Sequence, residues 1–226
     1  MFLGKDNSIK WKKMGVAALI TGALVAMGVA WFDEPLLLAI RQLDCKLWKI
    51  FDAVFAAKVW LVASVVAAAV FCMKKCATTD CSFMDLRGKR NLWVFVKNFF
   101  DKTRTNTAFL IFYSVLFASA VVGILKVVIG RARPIFYEAL DITGFFPPSF
   151  DWAFNSMPSG HTAVSFAGLV MIGLLAPRYK VLTWGLAITV GFSRIAVGAH
   201  WPSDVIFGAF IGMVIADLVK GTLLKK

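Results

Sequence analysis

Long apolar runs alternate with short charged gaps along the chain, and the runs fall at residues 14–32, 54–72, 106–128, 161–176, 181–198 and 204–220. A helix crossing a bilayer needs about 20 largely apolar residues, because the hydrocarbon core is about 30 Å thick and each residue rises about 1.5 Å. The pattern predicts an all-α, polytopic membrane protein, a bundle of six transmembrane helices. The last three runs are short and must borrow flanking residues or tilt little. Between the first two runs, FDEPLLLAIRQLDCKLWKIFD (32–52) mixes apolar and charged residues at near-helical spacing, as an amphipathic helix lying along the interface does. RNLWVFVKNFF (90–100) offers a second such pattern, on the other side of the bilayer. No internal repeat, low-complexity stretch or linker divides the chain, so residues 1–226 read as one integral membrane domain.

Composition sharpens this reading. A share of 59% hydrophobic residues leaves too little polar surface for a soluble domain of 226 residues. The formal net charge of +12 would suggest nucleic acid in a soluble protein, yet here the cations sit in the gaps between apolar runs. They do so on alternate gaps, which is the positive-inside pattern. Lys5, Lys10, Lys12 and Lys13 precede the first run, and eight cations from Lys74 to Arg104 follow the second. Arg178 and Lys180 follow the fourth, and Lys220, Lys225 and Lys226 close the chain. The opposite gaps carry Asp33, Glu34 and Asp44, then Glu138, Asp141 and Asp151. Both termini are therefore expected on the cytoplasmic side, with no nucleic-acid partner, and the first run reads as an uncleaved span. Cys72, Cys76 and Cys81 cluster at one edge without CxxC spacing or a nearby histidine, so no zinc site is expected.

That topology gathers three polar clusters at the outer face. The first, KVVIGRARP, carries Lys126, Arg131 and Arg133, with Lys126 and Arg133 seven residues apart, nearly two turns if the helix continues. Pro134 disfavours helix at Arg133, so the chain is expected to leave the span there. Taken alone, Lys126 and Arg133 are better read as snorkelling cations at a helix end. The second, PSGH, places Ser159 as an N-cap, Gly160 where a group can approach the backbone, and His161 where a proton can reach a leaving oxygen. Backbone amides at such a helix start favour an anion. The third, SRIAVGAHWPSD, holds Arg194, His200 and Asp204. His200 and Asp204 are four residues apart, and the pair either ties two helices together or fixes the imidazole tautomer and frees the other nitrogen as a nucleophile. The outer loop between the first two clusters contains GFFPPSFDWAF (144–154), whose aromatic residues suit an interfacial anchor or the rim of a lipid headgroup site. Charges inside an apolar bundle are costly, and three polar clusters at one face point to a common use. Cations, amides, a nucleophile and a proton donor suffice for metal-free, two-step phosphate transfer with no cofactor.

In these residues the chain resembles the type 2 phosphatidic acid phosphatases, or lipid phosphate phosphatases, of the superfamily that includes vanadium haloperoxidases. Their three-part signature is K, six residues, RP; then PSGH; then SR, five residues, H, three residues, D. Lys126, Arg133 and Pro134, then Pro158, Ser159, Gly160 and His161, then Ser193, Arg194, His200 and Asp204 match every fixed position. The resemblance covers about residues 105–220. It implies a six-helix membrane enzyme that removes phosphate from lipid phosphomonoesters or diphosphates in the outer, periplasmic leaflet of a bacterial inner membrane. By position, His200 would form a phosphohistidine, Asp204 would orient it, and His161 would protonate the leaving group. Lys126, Arg133, Ser159, Gly160 and Arg194 would hold the phosphate. Arg131 lies outside the signature and is offered as a headgroup contact. Phosphatidylglycerophosphate, phosphatidic acid, undecaprenyl diphosphate and lipid A phosphate are the candidate substrates. A phosphotransferase using the same histidine, or a lipid-phosphate or anion transporter, are the alternatives. Transport alone gives no reason for PSGH and the His–Asp pair together.

Overall fold

Each apolar run becomes a helix, because a continuous apolar segment satisfies its own backbone groups only in that form. The fold was obtained as a computed structural model that describes residues 1–4, 6–78 and 103–224, with only the backbone for 75–78. Cys81, the pattern at 90–100 and the cations Lys5, Lys225 and Lys226 lie outside the described residues, as do the side chains of Lys75 and Cys76.

The helices are α1 (Trp11–Met27), α2 (Asp33–Arg41), α3 (Lys46–Val54), α4 (Ala57–Thr78), α5 (Thr107–Ile129), α6 (Pro134–Leu140), α7 (Gly160–Leu175), α8 (Lys180–Ala196) and α9 (Pro202–Leu223). A π-helical turn, Gly28–Phe32, joins α1 to α2. Among the described residues, four stretches are long and apolar enough to cross a membrane: Trp11–Arg41, Lys46–Lys74, Thr107–Ile129 and Pro202–Leu223. At 16 and 17 residues, α7 and α8 stay short, as expected. The last run is longer than expected, because α9 takes in Pro202 to Leu223 and reaches 22 residues. The segment between the first two runs, expected along the interface, splits into two helices that continue the stretches Trp11–Arg41 and Lys46–Lys74. Its second half, α3, exposes an apolar ridge of Leu47, Ile50 and Val54, each more than half accessible. These three share one helix face, while Trp48 and Asp52 turn the other way.

The centre of the bundle is α7, whose residues from Thr162 to Met171 are all buried. It packs against α5, α8 and α9. Phe166, Leu169, Val170 and Met171 meet Phe109, Leu110 and Tyr113 of α5 and Ala216 and Val219 of α9. The α7–α9 seam is drawn tight by glycine. A Cβ at Gly208 would stand 2.6 Å from the Ser159 carbonyl oxygen, and one at Gly212 would stand 2.3 Å from that of Ala163. This GxxxG pair lets two backbones touch, as small residues do between membrane helices. At the far end of α9 the buried Asp217 accepts from the Phe2 backbone N–H at 2.5 Å, and Asn7 donates to the Leu224 carbonyl at 3.1 Å. The end of α5, the start of α7, the end of α8 and the start of α9 all lie at the opposite end, and there the polar clusters meet.

Candidate active site

The first cluster reaches the site by breaking its helix. Gly130 adopts a left-handed φ of 60° and its N–H closes on the Lys126 carbonyl, ending α5. No side chain fits there, since a Cβ would lie 2.5 Å from the Phe146 carbonyl oxygen. Arg131 to Arg133 then run extended, and Pro134 opens α6 at its first position. Lys126 and Arg133 therefore do not share a continuous helix, and it is the turn that aims both into one cavity.

Both cations are held by main-chain oxygens. Lys126 Nζ donates to the Asn155 carbonyl and, at 3.3 Å, to that of Ser156. Arg133 donates to the carbonyls of Trp152, Ala199 and Asn155 at 3.0, 3.1 and 3.2 Å, and its guanidinium lies 4.2 Å from the centre of the Trp152 ring. Among the described residues neither forms an ion pair, so their charge is available to an anion. Burial pushes the Arg133 guanidinium down to about 10, against the opposing pull of Asp204.

In the second cluster Ser159 holds the N-cap position of α7 but does not cap it with its side chain. Its hydroxyl, fully buried, instead accepts from Thr162 Oγ1 at 2.9 Å, and its backbone N–H donates to the Asp204 carbonyl at 3.0 Å. The expectation of a side-chain cap is corrected: Ser159 stands at the N-cap position, but its hydroxyl is bonded to Thr162 and to no first-turn amide. Gly160 and His161 border the cavity directly.

In the third, Gly198 takes φ 70° and ends the α8 chain direction, while the N–H groups of Ala199 and His200 both donate to the Arg194 carbonyl, at 3.0 and 3.3 Å. That turn buries His200, which is 2% exposed. Its imidazole lies well below the ordinary histidine value, first because it is buried and then because Lys126, Arg133 and Arg194 oppose a further positive charge. It is thus neutral at pH 7. His200 Nδ1 stands 3.6 Å from Asp204 Oδ2, close enough for attraction but too far for a direct hydrogen bond.

The three clusters converge on one cavity of about 390 Å³, bordered by Lys126, Arg133, Gly160, His161, Arg194 and His200. Six of the eight residues singled out in the sequence line it, and the other two, Ser159 and Asp204, are buried directly behind. Arg131 does not face it. Its guanidinium donates to Asp204 Oδ1 at 2.8 Å, Asp33 Oδ2 at 2.6 Å and Ser203 Oγ at 2.7 Å, so the expected headgroup contact gives way to a buried tie between α2, the α5–α6 turn and α9.

Sequence reasoning missed two neighbours. Asp52, on the inner face of α3, pairs with Arg194 and lies 3.8 Å from His161 Nε2. Ser156, fully buried, donates to Asp204 Oδ2 at 2.5 Å and lies 3.5 Å from His200 Nδ1. Only their placement on the inner face of an amphipathic helix, and two residues before PSGH, hinted at either.

The chain is 41% identical over 110 residues to the lipid A 1-phosphatase of Rhizobium johnstonii, covering 47% of this chain and 45% of that protein. It is 30% identical over 141 residues to the undecaprenyl-diphosphatase of Sulfolobus acidocaldarius, covering 60% and 66%. The match thus spans less than half the length of the rhizobial relative. Among solved structures, Aquifex aeolicus LpxE superposes with a TM-score of 0.52 at 20% identity, over 83% of this chain and 94% of that one, a likeness of fold. The sequence pattern of the PAP2 superfamily matches residues 107–225, more than half of the chain, and the chain belongs to that superfamily.

Proposed function

We propose that the protein is a membrane lipid phosphatase, a six-span bundle that hydrolyses a lipid phosphomonoester or diphosphate in the outer, periplasmic leaflet of a bacterial inner membrane, with both termini cytoplasmic. The observation that carries this reading is the shared cavity. Lys126 and Arg133, which form no ion pair among the described residues, border it together with His161 and a neutral His200. A phosphoryl group spreads negative charge over its oxygens, so positioned cations and a desolvated nucleophile do most of the catalytic work.

In the proposed reaction, Lys126, Arg133, Arg194 and the start of α7 hold the phosphate. The lone pair of His200 Nε2 forms a P–N bond as the P–O bond to the lipid breaks, and a protonated His161 gives its proton to the departing oxygen. Water then attacks phosphorus, His161 takes the water proton, and the P–N bond breaks to release phosphate. Asp204 supports the imidazole from behind. Arg194 enters this cycle paired with Asp52, and a phosphate oxygen competes with that carboxylate for the guanidinium. The rhizobial relative makes a lipid A 1-phosphate the first substrate to try, with undecaprenyl diphosphate, phosphatidylglycerophosphate and phosphatidic acid beside it.

The test is phosphate release by the purified protein in detergent from these four lipids, with EDTA throughout and His200→Ala in parallel. Release that withstands EDTA and disappears in the variant supports the reading. A folded protein that releases phosphate from none of them sinks it.

A further inference from the structure

The carboxylate of Asp204 accepts three hydrogen bonds that do not involve His200. Oδ1 accepts from Arg131 at 2.8 Å, while Oδ2 accepts from the Ser156 hydroxyl at 2.5 Å and the Trp201 backbone N–H at 3.0 Å. The imidazole Nδ1 lies 3.6 Å from this oxygen and 3.5 Å from Ser156 Oγ. A hydroxyl has one proton and two lone pairs. With its one hydrogen donated to Asp204, the hydroxyl oxygen can only accept from Nδ1.

We propose that Ser156 is a positioning residue that links Asp204 to His200 and sets the histidine tautomer. Nδ1 then carries the hydrogen, directed at Ser156 Oγ, and Nε2 keeps the lone pair that faces the cavity. When Nε2 bonds to phosphorus, the imidazole ring gains positive charge. Its Nδ1–H then bonds more strongly to Ser156, whose own hydrogen bond to the carboxylate strengthens in turn, as coupled hydrogen bonds do at low dielectric. No proton need leave the ring. Ser156 Oγ and Asp204 Oδ2 stand almost equally near Nδ1, at 3.5 and 3.6 Å, and the hydroxyl bonded to that carboxylate oxygen holds it in place beside the ring. The placement of Ser156 is fixed by its neighbours: its N–H donates to the Arg131 carbonyl at 3.0 Å, and its own carbonyl accepts from Lys126. The same residue thus touches the first and third clusters and stands two positions before the second.

This inference rests on the proposed phosphohistidine reading, and the test separates the two. The full-length protein, Ser156→Ala and Ser156→Thr are assayed for phosphate release in detergent, with thermal unfolding of each measured alongside. Loss of the hydroxyl lowers kcat by about 10- to 100-fold, the scale set by a misplaced reacting group, with KM little changed because the phosphate-holding cations are untouched. Ser156→Thr keeps the hydroxyl and retains most of the turnover. In a Ser156→Ala/Asp204→Asn double variant the losses do not add, because both substitutions cut one chain. Wild-type kcat in Ser156→Ala, or a folded Ser156→Thr as slow as Ser156→Ala, overturns the inference while leaving the phosphatase reading intact. An inactive wild-type protein overturns that reading, and the inference with it.

Discussion

Arg131 and Asp204, 73 positions apart in the chain, are joined by a 2.8 Å hydrogen-bonded ion pair with both side chains under a tenth exposed. The pair fixes the start of α9 against the turn after α5, and Asp33 closes it from the other side at 2.6 Å. Breaking a buried pair strands a charge, which costs about 3–5 kcal/mol. Arg131→Ala is therefore expected to lower stability by that order, and phosphate release is expected to fall with the folded fraction. Thermal unfolding in detergent checks it; an Arg131→Ala protein as stable as wild type contradicts the tie.

Asp52 should behave oppositely. Its carboxylate competes with phosphate for Arg194, so Asp52→Asn is expected to strengthen inhibition of lipid hydrolysis by inorganic phosphate. Removing a competing contact of ~1.4 kcal/mol corresponds to about tenfold. Weaker inhibition in the variant would instead make Asp52 part of the phosphate-holding geometry.

The state of His200 gives a pH signature. Its folded value lies well below the ordinary one, about 6.5, that the unfolded chain shows. Between those two values the unfolded state binds the proton and the native state does not, so stability is complete above about 6.5 and declines as pH falls below it. Unfolding midpoints across pH 5 to 8 should decline more steeply on the acid side in wild type than in His200→Gln. Parallel profiles would contradict a neutral buried His200.

The seam between α7 and α9 is a mechanical requirement for the site. Gly212→Val would place its Cβ 2.3 Å from the Ala163 carbonyl oxygen, which forces the helices apart. Overpacking of this kind costs about 1–3 kcal/mol. Because Ser159 N–H is bonded to the Asp204 carbonyl across the same seam, kcat should fall more than stability alone accounts for. Gly15→Ala, with open space around the added methyl group, serves as the control.

The site was legible in the sequence where its chemistry is local. KxxxxxxRP, PSGH and SRxxxxxHxxxD each hold their residues within a dozen positions, and the loops that carry them are short enough to bring all three to one cavity. What was not legible depends on distant partners. Arg131 reads as another cation until Asp33, 98 positions away, is seen to accept from it. Asp52 reads as one polar position of an amphipathic helix until α3 lies against α8. Most helix ends lie within a few residues of the apolar runs, but α1 gives way to a π-helical turn after Met27, α4 runs on to Thr78, and α9 opens at Pro202, since a proline costs nothing at a first helical position. The break at Gly130 was hidden because a lone glycine is tolerated inside a helical pattern, and only the approach of Phe146 makes it necessary.

Lys126 and Arg133 are anchored by the carbonyls of Asn155 and Ala199 rather than by their side chains. A carbonyl is supplied by every residue type, so positions 155 and 199 can be rewritten without disturbing the positive field. The rim of the cavity is in this sense free to diverge among descendants and follow a new lipid, while the charges that meet the phosphate stay where they are.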